Sequence, residues 1–202
     1  MSLSLIIGPM WSGKTTELLR LYDRKQHVGI KCLLINHCID QRYQDKTQTP
    51  AVVTHVNSYG MSERAPAMMF SSIGNIINYL GSKPMPEPLS LFIDEIQFFP
   101  DKERIIELMD SGIDIVAAGL NGDYNRKLFE GMGALLSAST EIKMLTAVCG
   151  KCKVEGACYT KRIAVDQQEH QIDVGGSDKY MAVCHRCYIG TVPGEINLIK
   201  KI

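Results

Sequence analysis

The segment GPMWSGKT at residues 8–15 has the spacing of a phosphate-binding loop. It matches the pattern G-x-x-x-x-G-K-[ST] at Gly8, Gly13, Lys14 and Thr15. In such a loop the glycines let successive backbone N–H groups converge on phosphate oxygens. The lysine reaches the outer phosphates, and the hydroxyl binds Mg²⁺. An apolar strand before the loop and a helix after it favour a nucleoside triphosphate site over a turn that binds nothing.

The segment LFIDEIQFF carries an acidic pair, Asp94 and Glu95, at the end of a buried apolar strand. In parallel α/β sheets ligands bind beyond the carboxyl ends of the strands, so we expect this pair and the phosphate loop to open onto one crevice. Adjacent strand residues point in opposite directions, which suits two different roles. We predict that Asp94 holds the metal through water and that Glu95 takes or orients the proton of the acceptor. The alternative is an ordinary pair that faces solvent.

Two C-x-x-C knuckles occur late in the chain. Their members are Cys149, Cys152, Cys184 and Cys187. Four thiolates in this arrangement form a tetrahedral site, and because all four ligands are sulfur, zinc there would hold structure and not catalyse. Two alternatives are open: the cysteines are reduced and unliganded, or the nearby Cys158 or His185 replaces one of the ligands.

The elements that must position these groups follow from hydrophobic patterning. We predict strands over residues 2–7, 30–36, 51–56, 91–94 and 113–119, and helices over 14–28, 65–80 and 103–112. Strands that are apolar on both faces and alternate with helices predict an α/β fold, with a mostly parallel sheet and helices on both faces. Cysteine pairs and turns replace that alternation after about residue 144. The predicted units are a nucleotide-binding α/β domain at 1–143, a small zinc-binding domain at 144–192 and a short tail at 193–202.

The composition limits the classes of partner. The 202 residues include 22 basic and 22 acidic side chains, so no global field attracts nucleic acid or an anionic membrane. No apolar run has the length of a membrane span, and the N-terminus lacks a secretory signal, so we expect a cytoplasmic protein. Thiols stay reduced in that compartment, and the seven cysteines therefore indicate metal binding, packing or reactivity instead of disulfides.

The order of motifs resembles one family along nearly the whole chain. The motifs are GPMWSGKTTELL, DQRY, DEIQFFP, GLNGDYNRKLF, KMLTAVCGKC, YTKR, DVGGSDKY and VCHRCY. Together they resemble the thymidine kinases of the cytosolic, zinc-containing type. The resemblance implies a P-loop, RecA-like α/β fold with a small zinc-ribbon or lasso domain. It also implies transfer of the γ-phosphoryl of ATP to the 5′-hydroxyl of thymidine, with deoxyuridine as a further acceptor, in salvage of DNA precursors.

The resemblance implies roles for individual residues. Glu95 would be the catalytic base, Thr15 and Asp94 would hold Mg²⁺, and the segment between the knuckles would be the lasso over the pyrimidine. The implied nucleotide-binding residues are Gly8, Pro9, Met10, Trp11, Ser12, Gly13, Lys14, Thr15, Arg42, Asp94, Glu95, Ile96 and Gln97. The implied nucleoside-binding residues are Met10, Tyr124, Thr160, Gln171, Ile172, Asp173, Val174, Gly175, Gly176 and Tyr180.

Several positions depart from the family pattern. Tyr124 stands where the family usually has a phenylalanine against the base, Trp11 replaces a phenylalanine in the phosphate loop, and Ile96 replaces a small residue. Further departures are Asn121, Asp123 and Leu128. None removes a phosphate-binding, metal-binding or proton-transfer group. We therefore expect these departures to affect affinity and tolerance of base analogues, and not the reaction class.

The resemblance also implies a homotetramer and inhibition by the end product, thymidine triphosphate. One alternative is a P-loop ATPase in which Glu95 activates water. Another is a zinc ribbon that binds nucleic acid, because basic residues cluster around the knuckles: Lys151, Lys153, Lys161, Arg162 and Arg186. A net charge of zero argues against nucleic acid, and such a cluster is usually a solvated face.

Overall fold

A computed structural model describes residues 1–40, 50–54, 64–82, 84, 88–164, 176 and 178–190. Its strands are β1 (Leu3–Gly8), β2 (Lys31–His37), β3 (Ala51–Val53), β4 (Arg64–Pro66), β5 (Met68–Phe70), β6 (Leu89–Ile93), β7 (Asp114–Leu120), β8 (Glu141–Met144), β9 (Tyr159–Arg162) and β10 (Tyr180–Val183). Its helices are α1 (Lys14–His27), α2 (Ile73–Gly81), α3 (Ile105–Asp110), α4 (Met132–Ala138) and α5 (His185–Ile189).

Six strands form one central sheet in the order β5-β2-β6-β7-β1-β8. Every neighbouring pair in this sheet is parallel. Helices connect most of these strands, as parallel connections require. The predicted α/β fold with a mostly parallel sheet is confirmed.

Alternate residues of the central strands enter two separate hydrophobic clusters. In β6, Phe92 packs on the face covered by Leu18 and Leu19 of α1. Its neighbours Leu91 and Ile93 pack on the opposite face, and that cluster also contains the buried residues Ile73, Ile76, Ile105, Leu108, Met132 and Leu135 of α2, α3 and α4. Because side chains alternate between the faces of a strand, strands that are apolar throughout require helices on both sides. This part of the prediction is also confirmed.

The predicted helix over 65–80 is wrong in its first half. Short strands β4 and β5 occupy residues 64–70, and α2 begins only at Ile73. Pro66 lies in β4, and proline has no backbone N–H to donate inside a helix. Ser72 caps α2 by accepting a hydrogen bond from the N–H of Asn75. The Asp101 carboxylate accepts the N–H groups of Ile73 and Gly74, so the helix start is fixed from a distant segment.

Other predicted boundaries differ by smaller amounts. The predicted strand over 51–56 is described only through residue 54, and β3 ends at Val53. The predicted helix over 103–112 is a 3₁₀ turn at Lys102–Arg104 followed by α3. The remaining strands and α1 begin and end within two residues of the predicted positions. Helix ends commonly differ by this amount because terminal turns tighten or fray.

The segment after β8 builds a small core of its own. β9 and β10 form an antiparallel pair, and Ala147 and Ala157 make an isolated antiparallel bridge. The buried members of this core are Ala147, Cys149, Ala157, Ala182, Val183 and Cys187. The division at residues 143 and 144 remains a prediction. Within the described ranges, no helix has both the length and the apolar character needed to cross a bilayer.

Candidate active site

The loop between β1 and α1 has the backbone of an anion-binding turn. Gly13, at the N-terminus of α1, has φ 82°, a left-handed conformation that favours glycine. Gly8 ends β1, and a Cβ placed there would lie 2.5 Å from the carbonyl oxygen of Leu145. Gly13 is therefore favoured by its backbone conformation, and Gly8 by the close approach of the Leu145 backbone. The loop opens at the N-terminus of α1, where the helix dipole favours a negative charge.

The side chains of the loop fold back onto its own backbone. The ammonium of Lys14 donates to the carbonyl oxygen of Pro9 at 2.7 Å, and the Ser12 hydroxyl donates to the same oxygen at 2.9 Å. The ammonium of Lys14 therefore lies at the backbone of the phosphate loop, where it could reach a bound phosphate.

Thr15 and Asp94 meet beside this loop. The Thr15 hydroxyl donates to Asp94 Oδ2 at 2.9 Å, and Asp94 Oδ1 accepts the N–H of Glu95 at 3.0 Å. Asp94 is only 5% exposed. Burial, followed by the nearby Glu95 carboxylate, raises the pKa of Asp94 to about 7. A cation at this position would relieve the buried negative charge.

This donor set fits Mg²⁺. A hydroxyl and a carboxylate are the hard oxygen ligands that Mg²⁺ prefers, and a nucleotide normally supplies further oxygens. The pKa of Asp94 is raised by burial and by the nearby Glu95 carboxylate, and a bound cation would offset both effects. Thr15 and Asp94 are thus the residues that could hold the ion.

Glu95 has a strained backbone and a defined side-chain partner. Its φ of 52° is left-handed, which is uncommon for a residue with a side chain. Gln97 donates from Nε2 to Glu95 Oε2, while its Oε1 accepts the N–H of Leu120 at 3.0 Å. Gln97 is 1% exposed. The buried amide therefore ties the Glu95 carboxylate to the end of β7.

The phosphate loop contacts two later segments. The N–H of Met10 donates to the Thr160 hydroxyl at 3.2 Å, and both residues are buried. Asn121, just after β7, donates from its N–H to the carbonyl oxygen of Gly8 at 3.3 Å and from Nδ2 to that of Cys158 at 3.0 Å. The loop, the end of β7 and the start of β9 thus converge on one region.

Aromatic rings meet at the edge of this region. The ring centroids of Tyr124 and Tyr180 are 6.5 Å apart, with an angle of 32° between the rings. The Arg162 guanidinium lies 5.6 Å from the Tyr124 centroid. Asp123 organises the preceding turn because its Oδ1 accepts the N–H groups of Asn125 and Lys127, each at 2.8 Å. This departure from the family pattern has a clear structural role.

Of the expected nucleoside-binding residues, Met10 contacts Thr160, and Tyr124 lies near Tyr180. Thr160 and Tyr180 lie on the paired strands β9 and β10. Gly176 is close to Tyr180 in the chain. The Gly176 carbonyl oxygen accepts the N–H of Tyr180 at 3.0 Å, which forms a turn into β10. Six expected site residues lie outside the described part of the structure: Arg42, Gln171, Ile172, Asp173, Val174 and Gly175.

The two cysteine knuckles come together. The Sγ atoms of Cys149, Cys152, Cys184 and Cys187 all lie within 4.8 Å of one another. The Cys152 and Cys184 sulfurs are 3.7 Å apart, close to the roughly 3.8 Å edge of a tetrahedron with Zn–S bonds of about 2.3 Å. The cluster therefore fits zinc. Neither Cys158 nor His185 belongs to it among the residues that the structure describes.

The knuckle backbone favours a thiolate at Cys149. Although burial acts to raise the pKa of Cys149, the backbone N–H groups of Cys152, Cys184 and Lys151 outweigh it and lower the pKa to about 6. Burial and the other three sulfur atoms raise the pKa of Cys187 to about 12. Without a cation, four close thiolates would repel one another. A soft divalent cation would offset that repulsion and deprotonate the thiols that it binds.

Comparison with known proteins decides the family. A family model described as thymidine kinase matches residues 1–188. A thymidine kinase of fowlpox virus is 36% identical over 188 residues, which cover 93% of this chain and 96% of the relative. A human protein named thymidine kinase, cytosolic, is 35% identical over 194 residues, which cover 96% of this chain and 75% of the relative. The chain belongs to the thymidine kinase family. It is accordingly a kinase.

Two sets of contacts in this thymidine kinase family member were not predicted from the sequence. The place of Gln97 among the nucleotide-binding residues, which the resemblance implies, stays a prediction, but its side-chain contacts with Glu95 and Leu120 were not foreseen. The Tyr188 hydroxyl donates to the carbonyl oxygen of Tyr124 at 2.7 Å, a contact between residues 64 positions apart. A glutamine two residues after Glu95 could have indicated the first contact, because its amide can donate to the carboxylate. No local pattern indicates the second.

Proposed function

We propose that the protein transfers the γ-phosphoryl group of ATP to the 5′-hydroxyl of thymidine, which yields thymidine monophosphate and ADP. Deoxyuridine is proposed as a second acceptor. The observation that carries this proposal is the contact of Thr15 with Asp94 at the mouth of the phosphate loop, with Glu95 next in the chain. Family membership supports thymidine as the acceptor.

In this proposal the phosphate loop binds ATP. Its backbone N–H groups and Lys14 hold the phosphates, and Arg42 adds a second positive charge. Mg²⁺ bound by Thr15 and Asp94 would neutralise charge that develops on the transferred group. Phosphoryl transfer has a loose transition state, so positioning and electrostatics supply most of the acceleration. The remaining residues of the loop and Ile96 and Gln97 complete the proposed nucleotide-binding set.

Glu95 is the proposed catalytic base. It accepts the proton of the 5′-hydroxyl as that oxygen attacks the γ-phosphorus, and the bond from the γ-phosphorus to the bridging oxygen of ADP breaks. Its contact with Gln97 and its left-handed backbone hold the carboxylate in one place, which supports this role. A base that is fixed before the substrate arrives loses less entropy in the reaction.

The nucleoside would bind between the phosphate loop and the aromatic residues. Tyr124 and Tyr180, which lie near each other, would offer ring area for a planar base, and the contacting pair Met10 and Thr160 would line the same pocket. Residues 171–176 would cover the base from the lasso. The Tyr124 hydroxyl distinguishes this pocket from the family pattern, so we expect an altered tolerance of substituted pyrimidines.

Zinc in the four-cysteine cluster would be structural. A closed set of four thiolates leaves no position for a substrate, so the ion would stabilise the fold of the proposed domain at 144–192. The residues that hold it would be Cys149, Cys152, Cys184 and Cys187.

The test is a transfer assay with γ-labelled ATP and Mg²⁺, with and without thymidine. We expect label in thymidine monophosphate, and we expect a Glu95→Gln variant to lose at least a hundredfold in kcat. A Glu103→Gln variant, altered in the 3₁₀ turn before α3, is the matched control. Label that appears only as free phosphate, independent of thymidine, would overturn the proposal and favour an ATPase.

Three further properties are proposed from the family alone: a homotetrameric assembly, inhibition by thymidine triphosphate, and a cytoplasmic role in salvage of deoxynucleotides. A sizing column that returns a monomer at all concentrations would contradict the first. Full activity in a large excess of thymidine triphosphate would contradict the second. Neither nucleic acid nor membrane is proposed as a partner.

A further inference from the structure

A group of aromatic and cationic residues joins the loop that carries Tyr124 to the four-cysteine segment. We name Tyr124, Arg126, Tyr159 and Tyr188 the tyrosine clasp. Its central contact is the Tyr188 hydroxyl, which donates to the carbonyl oxygen of Tyr124 at 2.7 Å. Tyr124 follows β7 of the central sheet, whereas Tyr188 lies on α5 next to Cys187.

Arg126 strengthens the same junction. Its guanidinium lies 4.6 Å from the centroid of the Tyr188 ring and 5.7 Å from that of Tyr159, within the range of cation–π attraction. The two tyrosine rings lie 5.3 Å apart. Arg126 has φ 62°, a left-handed backbone conformation that is uncommon for a residue with a side chain.

The other side of the clasp depends on the cysteine knuckles. Cys184 is the N-cap of α5, and its carbonyl oxygen accepts the N–H of Tyr188 at 2.9 Å. Cys187, the neighbour of Tyr188, contributes a sulfur to the four-cysteine cluster. The turn from Cys184 to Tyr188 therefore carries two cysteines of the cluster and also sets the direction of the Tyr188 hydroxyl.

We propose that Tyr188 is a positioning residue for the nucleoside: it transmits the order of the four-cysteine site to Tyr124 and so sets the affinity for the base. The inference rests on the proposed function, in which Tyr124 contacts the base. We expect the effect on the nucleoside because Tyr124, which Tyr188 contacts, lies beside Tyr180. The phosphate loop is held through the hydrogen bonds of Met10 with Thr160 and of Gly8 with Asn121, in which Tyr188 takes no part.

The experiment compares Tyr188→Phe and Arg126→Gln with the wild type and with Tyr22→Phe. Tyr188→Phe keeps the ring and removes only the hydroxyl. Tyr22→Phe is a matched control because Tyr22 lies on α1, outside the tyrosine clasp, and its hydroxyl accepts an exposed hydrogen bond from Gln26. For each protein the assay gives kcat and the KM values of thymidine and ATP, calorimetry gives the Kd of thymidine, and elemental analysis gives the zinc content.

We expect Tyr188→Phe to raise the thymidine KM and Kd about fivefold, which corresponds to one ordinary hydrogen bond. The ATP KM, kcat and zinc content stay within twofold of the wild type. Arg126→Gln changes the thymidine constants in the same direction, and Tyr22→Phe changes none. Wild-type thymidine constants in both clasp variants, or an equal rise of both KM values, would overturn the inference alone. A wild-type protein that neither binds nor phosphorylates thymidine would overturn the proposed function as well.

Discussion

The Thr15 hydroxyl and the Asp94 carboxylate meet at 2.9 Å although their elements are not neighbours in the sheet. Thr15 lies in the first turn of α1, after β1, and Asp94 follows β6, with β7 between the two strands. The parallel order brings the carboxyl ends of all three strands to one edge. Residues 79 positions apart thereby form a two-ligand set for a hard cation.

Removal of the Thr15 hydroxyl tests this ligand set. We expect Thr15→Val to lower kcat/KM about a hundredfold and to raise the Mg²⁺ concentration needed for half-maximal activity, because one ligand oxygen is lost. Thr15→Ser keeps the hydroxyl and should recover most of the activity. Thr16→Val is the matched control, since Thr16 is exposed on the same helix. A wild-type Mg²⁺ dependence in Thr15→Val would contradict the assignment.

The buried amide of Gln97 supports the proposed base. We expect Gln97→Met to lower kcat about tenfold with little change in the ATP KM, because the Glu95 carboxylate loses its donor. The variant also leaves the N–H of Leu120 without its acceptor, which costs about 1–3 kcal/mol of unfolding free energy. Denaturant titration measures this loss. Gln26→Met on the exposed face of α1 should change neither quantity, and an unchanged kcat in Gln97→Met would remove Gln97 from the mechanism.

Motifs with fixed local spacing were predictable from the sequence. The phosphate loop, the acidic pair and the cysteine knuckles each lie within a few residues, and the strands that carry them are apolar on both faces. The order of strands guarantees that the first two motifs share an edge. The convergence of Thr15 with Asp94 therefore followed from local patterns and one topological rule.

Contacts set by tertiary packing were not predictable. The apolar run from Ala65 to Phe70 is compatible with a helix or with a strand. It forms strands because β4 pairs with β3 and β5 pairs with β2. The contact of Tyr188 with Tyr124 depends on how α5 is placed against the loop after β7. Periodicity reports which face is buried, but it does not report which distant residue lies opposite.

Acid should destabilise the protein through His37. Burial lowers the pKa of this histidine from its ordinary value of 6.5. Nδ1 of His37 accepts the N–H of Ile39, and Nε2 lies 3.0 Å from the carbonyl oxygen of Ser71. The neutral ring, with its proton on Nε2, satisfies both contacts. A second proton, on Nδ1, would break the contact with Ile39. The unfolded chain then binds more protons, so this contribution to stability is complete above pH 6.5 and is lost as the pH falls below it.

The measurement is the free energy of unfolding between pH 5 and 7.5. We expect His37→Gln to reduce the slope of stability against pH by at most about 1.4 kcal/mol per pH unit. His27→Gln, at the exposed C-terminal end of α1, is the matched control for the removal of a surface histidine. Equal slopes in the wild type and His37→Gln would show that the histidine is not responsible.

Loss of a knuckle cysteine should remove zinc. We expect Cys187→Ser to lower the zinc content from one ion per chain to a small fraction and to lower the free energy of unfolding by several kcal/mol, because binding of a structural ion is coupled to folding. Cys32→Ser is the matched control: Cys32 lies in β2, outside the four-cysteine cluster, and a serine can keep its donation to the carbonyl oxygen of Ile30. A full zinc content in Cys187→Ser would contradict the assignment of the ligands.

Substitution of alanine for glycine should have opposite effects on stability at Gly8 and at Gly133. A Cβ at Gly8 would lie 2.5 Å from the Leu145 carbonyl oxygen and 2.6 Å from the Ser12 hydroxyl oxygen, so Gly8→Ala must displace either β1 or the segment after β8. We expect a loss of about 1–3 kcal/mol in unfolding free energy and weaker ATP binding. Gly133, in α4, has open space around the same position, so Gly133→Ala should stabilise the protein by about 0.5–1 kcal/mol. Denaturant titration measures both changes, and a Gly8→Ala variant as stable as the wild type would contradict the close approach of β1 to Leu145.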